Sequence, residues 1–239
     1  LAGIAISILS LARLISWLLE NHPIPLWAFF FGLILASALV LLRQVQGWSI
    51  ARTLCLVAGL GIAATIALSP TVNMHFGMAG IFLSGFLAIC AMILPGISGS
   101  FILVLLGMYG TVLSALKSLD LGFILVFAMG AAIGLLTFSR LLHFLLQRFH
   151  EATMALLTGF LFGSLLVVWP WKHVLVWIEG SHGQLKPAQQ VPVMPLEFTV
   201  LTGESSQLVL CLSLMVVGFA LVWLIDARWG GKQENPAEQ

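Results

Sequence analysis

Apolar residues are gathered into long runs along this chain, and short polar or charged stretches separate them. An apolar run of roughly 17 to 25 residues is long enough to cross a bilayer as an α-helix. Such runs predict six membrane-spanning helices, at residues 1–19, 24–42, 50–69, 121–147, 152–170 and 207–225. Only one long connection, residues 171–206, is predicted to lie outside the membrane. The pattern therefore predicts an all-α, polytopic membrane protein.

A further apolar region, from Phe76 to Leu116, has 41 residues without a charged side chain but is interrupted near its middle by the sequence LPGISGS at 94–100. Proline lacks a backbone N–H and glycine frees the chain to turn, so we expect a helix to end near Leu94 and another to begin near Ser98. The first arm, 78–93, would rise about 24 Å and the second, 98–116, about 28 Å, against a hydrocarbon core of roughly 30 Å. Residues 77–117 are therefore predicted to form a re-entrant, broken-helix hairpin.

The sequence also contains an internal repeat at an offset of 127 positions, with no gap. Leucine-rich helices align with one another to some degree by chance, but this alignment also pairs residues of other kinds: Arg13 with Arg140, Gly32 with Gly159, and Ser37 with Ser164. Three predicted spans separate the copies and the hairpin does not change sides, so the copies should run in opposite directions. This arrangement is an inverted-topology repeat, which is common in transporters.

The repeat predicts three parts of the chain. Residues 1–76 would be the remainder of a first repeat, whose own hairpin is expected upstream of Leu1. Residues 77–227 would be the second repeat, and residues 228–239 a polar tail.

Composition supports the membrane assignment and excludes other classes. Charged residues make up 8% of the chain and the mean hydropathy is +1.10, whereas soluble domains carry about 25% charged residues. The net charge of +1 and the dispersed lysines and arginines give no basic surface for nucleic acid. The three cysteines lie in apolar segments without metal-ligand spacing, so we expect them to pack as small apolar residues. No metal and no cofactor are predicted.

The distribution of basic residues predicts an orientation, with the C-terminus in the cytoplasm. This orientation places five basic residues inside, namely Arg43, Arg52, Arg148, Arg228 and Lys232, and three outside, namely Lys117, Lys172 and Lys186.

The interruption of the hairpin is the first candidate for binding chemistry. Ser98 is expected to cap the second arm, which would leave the backbone N–H groups that follow it without acceptors. Free N–H groups at a helix N-terminus attract phosphate or carboxylate, and serine hydroxyls add donors. We therefore predict a phosphate-binding site formed by Gly96, Ser98, Gly99 and Ser100. The alternative is a purely structural kink whose serines only cap the helix.

Two arginines are the second candidate. Arg13 and Arg140 lie well within predicted spans, at the same place in each repeat. A charge there costs several kcal/mol unless it reaches the interface or finds an anion. Both are predicted to bind the phosphate, and the alternative is that each only extends to the nearer interface.

Secondary candidates are Tyr109, His143 and the paired serines Ser37 and Ser164. Tyr109 could hydrogen-bond a headgroup or only anchor the second arm. His143 lies one turn from Arg140, but its repeat equivalent is Ser16, which favours an interfacial histidine over a ligand.

Two stretches resemble a known family. LPGISGSFILVLLGMYG at 94–110, followed by the Arg140 helix, and LLENHPIPLWAFFFGLILAS at 18–37 are similar to the bacterial polyprenyl-phosphate transporter family, long catalogued as a domain of unknown function. The resemblance covers nearly the whole chain. The family carries a related Pro-Gly-x-Ser-Gly signature in its first half, which this sequence lacks.

The resemblance implies a flippase of the bacterial inner membrane that returns undecaprenyl phosphate, the lipid carrier of cell-wall synthesis, from the outer to the inner leaflet. It leaves the coupling ion and the oligomeric state open. One alternative is an intramembrane polyprenyl-pyrophosphate phosphatase, which has a similar turn but carries Arg where this chain has Gly99. Another is a small-anion transporter, which would use the same site chemistry.

Overall fold

The computed structural model describes residues 2–71, 77–179 and 185–229. Over these residues the chain forms ten α-helices and one two-stranded sheet. The helices are α1 (Ala2–Asn21), α2 (Pro23–Gln44), α3 (Ile50–Leu68), α4 (Gly77–Ile93), α5 (Gly99–Leu105), α6 (Tyr109–Ser118), α7 (Leu121–Arg148), α8 (His150–Val168), α9 (Pro195–Thr202) and α10 (Leu208–Trp229). The strands are β1 (Lys172–Glu179) and β2 (Leu185–Pro192).

Five of the described helices, namely α2, α3, α7, α8 and α10, are long and apolar enough to cross a membrane. Each overlaps a span predicted from the sequence, with ends that differ by at most four residues, and α1 forms a helix over residues 2–19 of the predicted span 1–19. The prediction of an all-α, multi-pass membrane protein is confirmed. The polar tail was predicted to begin at Arg228, but α10 continues to Trp229. The rest of that tail, 230–239, lies outside the described residues.

Helix boundaries recur at the repeat offset. One residue, His22, separates α1 from α2, and one residue, Phe149, separates α7 from α8. These two residues are 127 positions apart, which is the offset found in the sequence. In both copies the chain therefore breaks between its first two helices at the equivalent position.

The predicted hairpin forms, with one correction. Its first arm, α4, ends at Ile93 and the next helix, α5, begins at Gly99, as expected. A Cβ on Gly99 would lie 2.7 Å from the carbonyl oxygen of Ala88, so α5 returns along the end of α4. Ala88, Leu103 and Met108 form a buried apolar cluster in this hairpin.

The second arm is not the single helix that was predicted. It divides into α5, of seven residues, and α6, and the two are bent by 109°. At the bend Gly107 has φ +68°, a left-handed conformation, and donates to the Val104 carbonyl at 3.0 Å. The Met108 N–H donates to the Leu103 carbonyl at 2.9 Å. These two bonds form a Schellman motif, which ends α5 and lets the chain change direction.

Close glycine contacts hold the described helices together in pairs. A Cβ on Gly159 of α8 would overlap the Leu56 carbonyl oxygen of α3, and one on Gly163 would approach the Leu60 carbonyl oxygen at 2.7 Å. From the first contact to the second, the residue number rises by four on both helices, so α3 and α8 run parallel. Small residues let helix backbones approach in this way in membranes.

The helices α4 and α7 pair in the same manner. Cβ atoms on Gly130 and Gly134 of α7 would meet the backbone of Phe82 and Phe86 of α4. Again both positions advance together by four residues, so these two helices also run parallel.

The chain forms two compact units. The described residues of 1–40, 168–173 and 192–239 belong to the first unit, and those of 41–167 and 174–191 belong to the second.

The segment 171–206, predicted only as a connection outside the membrane, has regular structure. It contains β1, β2 and α9. Trp171 is 2% exposed and packs in a core with Ile24, Phe198 and Cys211. Its indole N–H donates to the Ser206 carbonyl at 2.8 Å. Trp171 is thus a core residue whose polar group is satisfied.

Lys172, predicted to lie outside the membrane, is only partly exposed. Its Nζ lies 4.3 Å from the centroid of the Trp27 ring, a cation–π contact. Burial lowers the pKa of Lys172 to about 8.

Candidate functional site

The turn between α4 and α5 is compact. After Leu94 and Pro95 the chain passes through Gly96, whose φ of +85° is a left-handed conformation that favours glycine. The Ile97 N–H then donates to the Leu94 carbonyl at 3.5 Å. Residues 94–96 therefore reverse the chain and bring the following serines to the tip of the hairpin.

The tip presents hydrogen-bond donors. Ser98 is the N-cap of α5, as predicted, but its hydroxyl does not bond the helix backbone and instead lies 2.8 Å from the hydroxyl of Ser100. The first backbone bond of α5 runs from the Ile102 N–H to the Ser98 carbonyl at 3.2 Å. Among the described residues, the N–H groups of Gly99, Ser100 and Phe101 have no acceptor. The helix α5 has only seven residues, so its dipole is smaller than that of the single helix predicted over 98–116. The free N–H groups themselves are therefore the main attraction for an anion.

The tip closes on a cleft in the second unit. The cleft is bounded by α3, α8 and the turn, and its lining residues are Ala63, Ile66, Ala67, Gly96, Ile97, Ser98, Phe101, Ser164 and Val167. On α3 and α8 these residues belong to the last two turns. The cleft therefore lies near the C-terminal ends of two parallel helices.

Ser164 connects the repeat to the turn. Its side chain is 1% exposed, and its hydroxyl donates to the Leu161 carbonyl at 2.8 Å. A Cβ on Gly96 would overlap the Ser164 side chain. The absence of a side chain at position 96 thus allows the turn to lie directly against Ser164. The structure brings together the predicted Gly96, Ser98 and Ser164 in one cleft.

The cleft is closed in this conformation. The space within which the centre of a water molecule can move is about 10 Å³, roughly what one water molecule requires. A phosphate group is several times larger than water. An anion could therefore reach these donors only if the turn moved away from α8.

The other predicted residues of the second unit lie around this hairpin without lining the cleft. Arg140 is exposed and has no hydrogen-bond or ion-pair partner among the described residues. Gly134 of α7 contacts Phe86 of α4. Because these helices run parallel, Arg140, six residues after Gly134, lies level with Met92, which is next to the end of α4. His143 is likewise exposed. Tyr109 packs against the apolar cluster of the hairpin, which favours the anchoring role.

Arg13 and Ser37 belong to the first unit. The Arg13 side chain is exposed on α1. The Ser37 hydroxyl donates to the Leu33 carbonyl at 2.8 Å and is partly buried on α2. Ser164 makes the equivalent kind of bond, to a carbonyl one turn earlier on its own helix.

Sequence reasoning missed the apolar wall of the cleft. Gly59, Ala63 and Ala67 form a row of small residues at every fourth position of α3. Gly59 and Ala63 contact α8, and Ala67 extends the row to the cleft. This spacing was a readable signal of close helix contact, but alanine carries no chemistry that would have marked it as part of a site.

Comparison with known proteins identifies the family. Residues 1–186 match the model of the undecaprenyl phosphate translocase-like family. A polyprenyl-phosphate transporter of Vibrio cholerae is 48% identical over 220 residues, which cover 92% of this chain and 71% of that protein. The chain belongs to the undecaprenyl phosphate translocase-like family. The resemblance noted in the sequence is confirmed.

A second relative matches a shorter part of the chain. A polyprenyl-phosphate transporter of Staphylococcus aureus is 31% identical over 186 residues, which cover 70% of this chain and 66% of that protein. No solved structure matches this member of the family.

Proposed function

We propose that this protein transports polyprenyl phosphate, specifically undecaprenyl phosphate, from the outer to the inner leaflet of the bacterial inner membrane. The observation that carries the proposal is the hairpin tip, where free backbone N–H groups and serine hydroxyls close on the buried Ser164. Membership of the translocase-like family and the names of both relatives support the lipid as substrate.

The chemistry of the tip suits a phosphate monoester. Moving a phosphate through hydrocarbon is prohibitive because the ion loses its hydration. The N–H groups of Gly99, Ser100 and Phe101, with the hydroxyls of Ser98 and Ser100, would replace part of that hydration. The polyprenyl tail would remain in lipid throughout.

Opening of the cleft would be the transport step. In the closed state the turn lies against Ser164 and leaves room for about one water molecule. Binding requires the hairpin tip to separate from α8, and release requires it to close again. Alternating movement of one repeat against the other is how repeat-built transporters expose a site to each side.

The proposal is tested in proteoliposomes that contain undecaprenyl phosphate in both leaflets. An impermeant phosphatase added outside hydrolyses only the outer-leaflet pool, so a transporter makes the remaining half accessible. We expect the double variant Ser98→Ala/Ser100→Ala to slow this second phase roughly a hundred-fold or more, because each of the two hydrogen bonds to a charged group contributes about 1.5 to 3 kcal/mol.

Ser114→Ala is the matched control, since Ser114 is an exposed serine on α6 that bonds its own helix. It should transport at the wild-type rate. A wild-type protein that leaves the inner pool inaccessible would refute the proposal. Release of encapsulated inorganic phosphate at a comparable rate would indicate a small-anion transporter instead.

The phosphatase alternative is tested with the same purified protein and undecaprenyl pyrophosphate. Because Gly99 stands where those enzymes carry an arginine, we expect no phosphate above background. Turnover that disappears in Ser98→Ala would reverse the ranking of the two functions.

A further inference from the structure

The repeat extends to a third helix that the sequence offset does not reach. In the second unit, α8 packs on α3 through two reciprocal glycines. Gly159 faces the backbone of Leu56, and Gly59 faces the backbone of Leu156. Each helix thus supplies one glycine and one backbone carbonyl to the contact.

The first unit contains the same arrangement between α2 and α10. Gly32 faces the backbone of Met215, and Gly218 faces the backbone of Phe29. Gly32 and Phe29 are the repeat equivalents of Gly159 and Leu156 at the offset of 127. The helix α10 therefore corresponds to α3.

The correspondence between α3 and α10 has a single register. Met215 lies 159 positions after Leu56, and Gly218 lies 159 positions after Gly59. The longer offset reflects the segment with β1, β2 and α9, which lies between α8 and α10 but has no counterpart between α2 and α3.

This register identifies the residues of the first unit that are equivalent to those lining the cleft. Ser164 and Val167 of α8 correspond to Ser37 and Val40 of α2. On the partner helix, Ala67, which lines the cleft, corresponds to Asp226 of α10. A carboxylate thus stands in the first unit where the second unit has a methyl group.

We propose that Ser37 and Asp226 form the half-site of the first unit, and that the Asp226 carboxylate binds a cation, either a proton or a sodium ion, that accompanies the lipid phosphate. The inference rests on the proposed function. It makes the two half-sites chemically unequal, and it gives the transporter a site at which an ion gradient can act.

The physical reason is charge. A carboxylate beside a phosphate repels it unless a cation neutralises one of them. Asp226 is partly buried within a span and has no hydrogen-bond or ion-pair partner among the described residues. The other charged groups on these two helices are Arg43, in the last turn of α2, and Arg228, in the last turn of α10. An ionisable residue in a span is costly to keep without a partner or ligand.

The test uses the full-length protein in proteoliposomes and measures undecaprenyl phosphate transport in two modes. One mode has no ion gradient. The other applies either a pH gradient in potassium salts or a sodium gradient at constant pH. We expect one of the two gradients to accelerate wild-type transport and Asp226→Asn to lose that acceleration. The readout is the ratio of the rate with the gradient to the rate without it, measured for each variant.

Two variants complete the design. Asp226→Glu, which keeps the carboxylate, should retain the response, and so should Glu204→Gln, which removes an exposed carboxylate of the same unit. A wild-type protein that responds to neither gradient, or an Asp226→Asn variant that responds like the wild type, would overturn the inference. Both results would leave the proposed function standing, whereas absence of any wild-type transport would refute that function.

Discussion

At the scale of single residues, the cleft depends on one glycine and one serine that lie far apart in sequence. Gly96 turns the chain in a left-handed conformation. The side chain of Ser164 occupies the space that a Cβ on residue 96 would need. The two residues therefore constrain each other, and their substitutions should have different consequences for stability.

Gly96→Ala should destabilise the protein. A left-handed conformation costs a non-glycine residue about 1 to 2 kcal/mol, and overlap with a packed neighbour adds about 1 to 3 kcal/mol. Ser164→Ala should change stability by less than about 1 kcal/mol, because its hydroxyl only supplements a helix carbonyl. Thermal unfolding in detergent measures both. Gly110→Ala, with nothing near the added methyl group, is the control, and an equal loss at positions 96 and 110 would contradict the packing argument.

Arg13 and Arg140 are predicted to bind the same phosphate from opposite leaflets. Loss of a charge-assisted hydrogen bond costs about 1.5 to 3 kcal/mol, or roughly ten- to a hundred-fold in affinity. We expect Arg13→Ala and Arg140→Ala each to impair transport in proteoliposomes, and the lysine variants, which keep the charge but lose the planar fork, to impair it less. If both alanine variants transport at the wild-type rate, the arginines only reach for the interface and the hairpin tip binds the phosphate without them.

At the scale of elements, close glycine contacts fix which helices pair and in which direction. Gly59 and Gly159 bring α3 and α8 together, and Gly32 and Gly218 do the same for α2 and α10. In a membrane, such packing replaces the hydrophobic drive that holds soluble helices together.

Substitutions at two glycines of α3 distinguish the effect of helix packing on stability from the effect of helix propensity. A Cβ on Gly59 would overlap the Leu156 carbonyl oxygen, whereas nothing lies within 4 Å of one on Gly61. Gly59→Ala should therefore destabilise the protein by about 1 to 3 kcal/mol, and Gly61→Ala should leave it unchanged or stabilise it by up to about 1 kcal/mol. Gly218→Ala should resemble Gly59→Ala if α10 corresponds to α3. Thermal unfolding of the three variants is the measurement, and a Gly218→Ala variant as stable as Gly61→Ala would argue against that correspondence.

The elements also show what the sequence could and could not predict. The end of α4 and the start of α5 followed from Pro95 and Gly96, whose backbone effects are local. The bend at Gly107 was missed because its Schellman bonds lie inside an apolar run that reads as one helix. The strands β1 and β2 were missed because the segment 171–206 was predicted only as a connection between spans, from its lack of a long apolar run. Ser164 was found only through the repeat, and the alanines beside it gave no chemical signal.

At the scale of the whole molecule, the parallel pairing of α3 and α8 bears on the prediction of inverted repeats. The short loop after Gln44 joins α2 to α3, so α2 and α3 should cross the membrane in opposite directions. Since α8 runs parallel to α3, α8 should run opposite to its repeat equivalent α2. The chain between α3 and α7 would then begin and end on the same side, as a re-entrant hairpin requires.

Cysteine accessibility tests this topology directly. Glu20 and Gln147 are exposed and occupy equivalent positions, 127 residues apart, at the ends of α1 and α7. In a variant without Cys55, Cys90 and Cys211, we expect an impermeant thiol reagent to label Glu20→Cys in intact cells and Gln147→Cys only after permeabilisation, since the basic residues place Arg148 inside. Labelling of both positions from the same side would contradict the inverted repeat.

Such a result would also remove the reason to place Arg13 and Arg140 at opposite leaflets, because the two arginines lie seven residues before these positions and share their orientation. The reverse pattern, with only Gln147→Cys labelled in intact cells, would keep the inversion and place the C-terminus outside.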